Sequence, residues 1–530
     1  MISHIPTIDV SHLLCTGIIS QRLLLIRCDV GRLLTIDDLP DDVLLDIFDF
    51  HVATYQDLGF IEVLFHDQDT KKKIQSWQPL VQVCRRWRGL ILGSPRRLNL
   101  QICCTSSKYA GKSADVWPTL PLLIDGRVTE SSVDNVIAEL KHNDRIRQIG
   151  LTCHTTSKIE KIWTAMQVPF PELAALWLSF EDPSYVPVVP DSFLDGPTPR
   201  LRFLALLAVP FPGLPKLLLS ATHLVLLWLA NVPHSGYISP EAMATCLSML
   251  TSLETLQLEF ESPQSCPDLE NRPSPPPTRS TLPALTVFSF KGVNEYSEDL
   301  VSRIDAPRLY RLFATFFNDI DFDTPELNQF ISRTPIFGLY NEAHLIFHSH
   351  EALVSFEFRP EQSQNIKAIV EVKTLCHVSD WQLSFLRQIC TMSLCLLLTT
   401  EKLYIKEDEY TPPNWKDDIE NTEWLDLLLP FTAVKNLYLS TQVLQRIAPA
   451  LQEVTGGRST EVLPALEKVL LEGFHSLKRV PEGFGKFISA RQLTTRPVTT
   501  SIWKRPSYRF SGAEVRGDRL SQCFYRQNSL

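Results

Sequence analysis

Cysteine occurs 12 times in 530 residues, yet no two stand in a Cys-x-x-Cys pair. That absence excludes a zinc knuckle and a thioredoxin-like redox pair. So low a density is unlike a disulfide scaffold, and no Asn-x-Ser/Thr acceptor occurs anywhere. A reducing compartment, cytoplasm or nucleus, is therefore expected. Basic charge is also short: 51 Lys and Arg stand against 60 Asp and Glu, a net charge of −9, which excludes a general nucleic-acid binder. Long apolar runs are missing. The best, Leu217 to Val232, lies between Pro215 and Pro233, is shorter than the roughly 20 residues a bilayer needs, and reads as buried sheet. Residues 1–34 are apolar but broken by His4, Asp9, His12, Arg22 and Arg27, so no secretory signal is read there.

Signatures of catalysis are lacking too. There is no Gly-x-Ser-x-Gly elbow and no His-Glu-x-x-His. Gly111-Lys112-Ser113 invites a phosphate-loop reading, but Ser106 stands where that loop needs glycine. His344 and His348 have the spacing of a helical metal pair; with no cysteine nearby they read as a surface cluster. Cys103 and Cys104 sit in an apolar run and read as buried. No catalytic residue, metal site or cofactor is expected.

What is present begins at Leu34. Pro40 suits the first turn of a helix, and Asp41 and Asp42 favour the positive end of its dipole. Val43, Leu44, Ile47 and Phe48 then share one apolar face. A second stripe, Trp77, Leu80, Cys84, Trp87 and Ile91, predicts another helix opening near Pro79, with Arg85, Arg86 and Arg88 on its other side. The polar stretch between them, residues 49–76, reads as an insertion.

From residue 144 onward a short pattern recurs: apolar, two residues, apolar, one residue, apolar. It appears as IRQIGL at Ile146, LAALWL at Leu173, LVLLWL at Leu224, LETLQL at Leu253, LVSFEF at Leu353 and VKNLYL at Val434, among eleven copies. This is the L-x-x-L-x-L core of a leucine-rich repeat, and several intervals fall in the expected 20–29 residues. The two longest, 44 and 47, predict extra helices or a divergent copy. Ser239 to Leu250 and Asp380 to Leu394 read as helices. Residues 262–281, rich in Pro and Ser, read as an exposed loop, and residues 486–530 as a basic, disordered tail. The fold class predicted is α+β: a helical module at 35–105, then an irregular α/β solenoid with a curved parallel sheet at 106–485. A doubly wound α/β domain is the alternative.

The first module resembles an F-box, and the chain looks like the F-box proteins of mushroom-forming fungi. Leu39, Pro40, Asp42, Val43, Leu44, Ile47 and Phe48 match the first half of the motif. Leu80, Val83, Cys84, Arg85 and Trp87 match the second. The spacing departs from the family, whose first helix leads quickly to the second. The resemblance implies a Skp-family adaptor as partner and, through it, a cullin. It assigns adaptor binding to Leu39, Pro40, Val43, Leu44, Ile47, Phe48, Leu80, Val83, Cys84 and Trp87. It also implies that the solenoid holds a target protein. A scaffold acting outside any ligase, or an enzyme on a divergent α/β fold, are the other readings.

For the target, the fifth residue of each copy should face away from the core. Five of these eleven are aromatic, against 9% in the whole chain: Trp177, Trp228, Phe313, Tyr404 and Tyr438. Aromatics are favoured interface anchors. Lys291, Arg311, Arg359, Lys402, Lys406 and Lys468 lie beside the later ones, opposed by Glu259 and Glu472. A groove with a basic C-terminal half, suited to an acidic or phosphorylated segment, is the expectation. Packing of Trp177 and Trp228 into a core remains open.

Overall fold

The computed structural model describes residues 36–56, 77–95, 97–98, 100–105, 120–153, 158–180, 187–265, 278–317, 324–358, 368–376, 378–392, 394–408, 410–415, 420–455, 459–473, 480–494 and 497–503. The chain divides into two units, one of residues 1–103 and 113–121, the other of residues 104–112 and 122–530.

In the first unit, helix α1 spans Asp41–Gln56, with Asp41 and Asp42 in its first turn. Its ladder opens on the Pro40 carbonyl, which accepts from the Leu44 N–H at 3.0 Å. The helix therefore runs eight residues into the segment read as an insertion; residues 57–76 lie outside the described residues. The second apolar stripe is not one helix. A 3-10 turn, Leu80–Gln82, ends before Cys84, whose backbone is extended at φ −153° and ψ 172°. Cys84 caps α2 (Arg85–Gly93): its Sγ accepts from the Trp87 N–H, satisfying one of the donors a helix start leaves unpaired. The break keeps Leu80 and Trp87 inside while turning Val83 outward, 57% exposed.

The second unit is mixed α/β with a long, mostly parallel sheet. A short strand, β1, covers Ile102–Thr105, and the division between the units falls within it. From β2 (Leu122–Val128) the sheet runs in chain order through β3 (Ile146–Cys153), β4 (Ala175–Phe180), β5 (Phe203–Leu207), β6 (Leu226–Val232) and β7 (Thr255–Phe260), all parallel. A separate parallel pair joins β8 (Ser280–Thr281) to β10 (Ile304–Asp305). β9 (Val287–Gly292) and β11 (Arg311–Phe317) extend the main sheet. Order then inverts. β11 is followed by β14 (Ala368–Leu375), β13 (Glu351–Phe358) and β12 (Glu342–Phe347), and β13 is antiparallel to both its neighbours. Parallel order resumes with β15 (Lys402–Glu407), β16 (Asn436–Ser440), β17 (Lys468–Glu472) and β18 (Thr499–Trp503). The two longest repeat intervals thus hold this inverted trio, and the copy at Leu353 is an antiparallel strand.

Helices alternate with the strands: α3 (Val133–Leu140), α4 (Ile159–Ala165), α5 (Leu214–Ser220), α6 (Pro240–Met249), α7 (Asn294–Arg303) and α8 (Pro325–Arg333). Further on come α9 (Ser379–Met392), α10 (Leu394–Leu397), α11 (Asn421–Leu428), α12 (Thr441–Glu453) and α13 (Glu482–Gln492). Ser239 caps α6 by accepting from the Ala242 N–H, and Pro240 opens its first turn. Period-two alternation fixes the core: Leu403 and Ile405, Leu437 and Leu439, Val469 and Leu471 are all buried. α12 packs on β15 and β16, contributing Val443, Leu444 and Ile447 to the same core. The run from Leu217 to Val232 is the end of a helix joined to a strand, and among the described residues no helix is long and apolar enough to cross a membrane. The segment read as a tail from residue 486 continues α13 and adds β18; residues 504–530 lie outside the described residues, as do 266–277 of the Pro/Ser-rich loop.

Candidate docking surfaces

In the first unit the matched residues divide by burial. Leu44, Phe48, Leu80 and Trp87 are buried, and the rings of Phe48 and Trp87 meet at 4.8 Å. Leu39, Val43, Ile47 and Cys84 are half-buried, and Pro40 and Val83 are exposed. Val43, Ile47 and Phe50 recur three or four residues apart and line one stripe of α1, which Pro40, just before the helix, extends by the same spacing. Leu44 and Phe48 occupy the stripe turned inward. Phe50, 40% exposed, belongs to the outer stripe and was missed because motif matching ends at Phe48; the helical wheel would have found it.

Arg86 is no mere decoration. Its guanidinium donates to the Leu39 carbonyl at 2.5 Å and to Asp41 Oδ1 at 2.6 Å, joining α2 to the start of α1. Arg88 donates to the Val81 carbonyl, and Arg97 pairs with Asp46. The Asp41 partner is solvent-exposed, so most of the value lies in the backbone bond. Arg86→Met should lower stability by about 1 kcal/mol in a denaturant titration, and no loss would show that apolar packing alone sets the helix angle.

In the second unit one row crosses the sheet on the face opposite the leucines. Registers place Gly150, Trp177, Ala205, Trp228, Gln257, Ser289 and Phe313 side by side. The row continues through Glu371, Ser355, His344, Tyr404 and Tyr438. Trp177 and Trp228 face away from the leucine side, as the offset requires, but they are only 4% and 7% exposed. They are therefore not open groove anchors. Their rings meet edge to face at 5.3 Å across Ala205. Small neighbours at Gly150 and Ala205 give the two indoles room to lean together, a pairing favoured by the ring quadrupoles.

Phe313, Tyr404 and Tyr438 are half-buried. In-register parallel strands lie about 4.8 Å apart, which sets rings on neighbouring strands face to face. His344 stacks on Tyr404 at 4.4 Å and 6°, Tyr404 on Tyr438 at 4.0 Å and 14°, and Trp503 meets Tyr438 at 5.3 Å. Burial, then the nearby Glu342 carboxylate, pushes the Tyr404 phenol upward.

Several lysines of this half stand beside carboxylates. Lys402 Nζ donates to Glu342 Oε1 at 2.8 Å, and that bond holds its ammonium above the ordinary range. Lys373 Nζ lies 3.3 Å from Glu371 and 3.6 Å from Glu351. Lys291 stands in register with Glu259, and Lys406 is half-buried. Most of the acidic partners come from β12 to β14, strands whose inverted order the repeat spacing hid. Lys402 and Lys291 thus stand beside acids, whereas Lys468 is exposed and Arg311 half-buried; Arg359 lies outside the described residues.

His344 and His348 are not a helical pair. His344 lies on strand β12, and His348 follows the end of that strand at Phe347, so no helical turn joins them. Burial pushes the thiol of Cys153 up to about 12 and that of Cys246 up to about 11, and raises Cys376 and Cys390 as well. No protein-family model matches this chain, and no curated protein matches it significantly.

Proposed function

We propose that this chain is the substrate-receptor subunit of a Skp–cullin–F-box ubiquitin ligase. The observation that carries the reading is the coincidence of motif and surface at the start of α1 and at Val83. Leu39, Pro40, Val43, Ile47 and Val83 match the F-box pattern and are also apolar residues left partly or wholly exposed. Large apolar groups in a row at a surface mark contact sites. The second unit serves as a leucine-rich-repeat-like solenoid: each copy is one strand with a return segment, too small to bury its own face until neighbours stack. Strand order that follows chain order from β2 to β11 favours that architecture over a doubly wound sheet, whose order reverses about a switch point. Catalysis belongs to other subunits. The receptor raises the effective concentration of target lysines near the charged conjugating enzyme.

The test is affinity purification of the chain from its own cell extract. Recovery of adaptor and cullin together supports a ligase; adaptor without cullin makes it a scaffold, and neither ends the F-box reading. Tyr404→Ala with Tyr438→Ala should remove the target from the same purification while leaving the adaptor, because half-exposed stacked aromatics are the anchors the face offers. A further expectation concerns transfer. A thioester-forming cysteine needs a depressed pKa, whereas four described thiols are raised by burial. With activating and conjugating enzymes alone, no ubiquitin thioester should form on the chain, and a reducible adduct would refute this.

A further inference from the structure

We propose that Glu342, His344 and Glu357 form a site for a divalent transition-metal cation of the zinc class. Glu342 and His344 are two residues apart on β12, so their side chains leave the same face. Glu357 sits on β13 directly opposite Glu342 in the antiparallel register. One ligand atom from each of the three lies within 4.8 Å of the others, and His344 Nε2 is 3.7 Å from Glu357 Oε2. Metal–ligand bonds of about 2.0–2.2 Å draw such a set together with small side-chain rotations. One imidazole and two carboxylates suit zinc, cobalt or manganese and leave a coordination position open.

Two features of the surroundings favour a cation here. Carboxylates placed directly opposite across strands repel each other, so the Glu342–Glu357 pair calls for positive charge between them. Lys402 supplies some from the Glu342 side, at 2.8 Å, which makes it a competitor for the metal. The His344 ring is held flat against Tyr404, so its orientation is set before any ligand arrives. All three ligands are half-buried on adjacent strands rather than on a mobile loop.

The full-length chain, stripped of metal with a chelator, should be titrated calorimetrically with Zn²⁺ and followed spectroscopically with Co²⁺. His344→Ala and the isosteric Glu357→Gln should each weaken the tightest Zn²⁺ site by about 100-fold or more, since losing only an outer partner of a ligand already costs up to about that much. Lys402→Met should tighten it several-fold by removing the competing ammonium. The Co²⁺ complex should show no thiolate charge-transfer band. Circular dichroism of each variant establishes that it is folded. Equal affinity in wild type, His344→Ala and Glu357→Gln would overturn the site. So would a thiolate band, weaker binding in Lys402→Met, or Mg²⁺ binding as tightly as Zn²⁺.

Discussion

Replacing Leu39 and Pro40 together by alanine should reduce capture of a Skp-family adaptor by about 30-fold or more, since losing a central apolar anchor typically costs about 2 kcal/mol or more. Pro40 is exposed and Leu39 half-buried, so the change removes surface without emptying the interior formed by Leu44, Phe48 and Trp87. The local fold is also retained by a bond the substitution does not touch: Arg86 grips the Leu39 carbonyl, which belongs to the backbone. Pro40 accepts the first bond of α1 through its carbonyl, which alanine also has. Ile47→Asp places a charge in the middle of the same stripe and should abolish capture outright. Both variants are to be compared with wild type by surface binding to purified adaptor, with helicity measured in parallel. An unchanged dissociation constant in a folded double variant would end the assignment of this stripe to the adaptor.

Arg491→Ala should destabilise the end of the second unit by about 3 kcal/mol or more, because buried acceptors lose their donor and a large cavity opens at once. Arg491 is fully buried. Its guanidinium donates to the carbonyls of Ser459 at 2.9 Å, Leu463 at 3.1 Å and Leu466 at 3.4 Å. Leu463 has a φ of 51°, a left-handed conformation that a bulky residue adopts only when its surroundings hold it. Arg491 thus pins the turn leading into β17. Where each strand leans chiefly on its neighbours, unfolding propagates locally. Hydrogen exchange should therefore quicken at β17, α13 and β18 while β2 to β7 keep their protection, and adaptor capture stays intact. Lysine at 491 rescues little, since one ammonium lacks the fork that reaches three carbonyls. A melt and an exchange map indistinguishable from wild type would refute this role.

The sequence by itself determined the local plan. Pro40 with two aspartates marked the start of α1, period-two alternation marked strands and their leucine face, and Ser239-Pro240 marked the start of α6. These were legible because each depends on neighbours within a turn or a strand. The outward offset of Tyr404, Tyr438 and Phe313 follows from the same alternation. Tertiary structure decided the rest. Alternation reads the same in either direction, so the pattern at Leu353 could not reveal that β13 runs antiparallel, or that β12 to β14 enter the sheet in inverted order. That inversion brings Glu342 opposite Glu357 and beside Lys402, acidic neighbours that counting lysines left out. Offset names the face of Trp177 and Trp228, but their burial depends on residues far along the chain, with Ala205 between them. Cys84 capping α2 and Arg491 gripping three carbonyls are likewise settled by partners met only on folding. A side chain's direction is set by its own backbone; what it meets there is set by strand order, which no short stretch of sequence encodes.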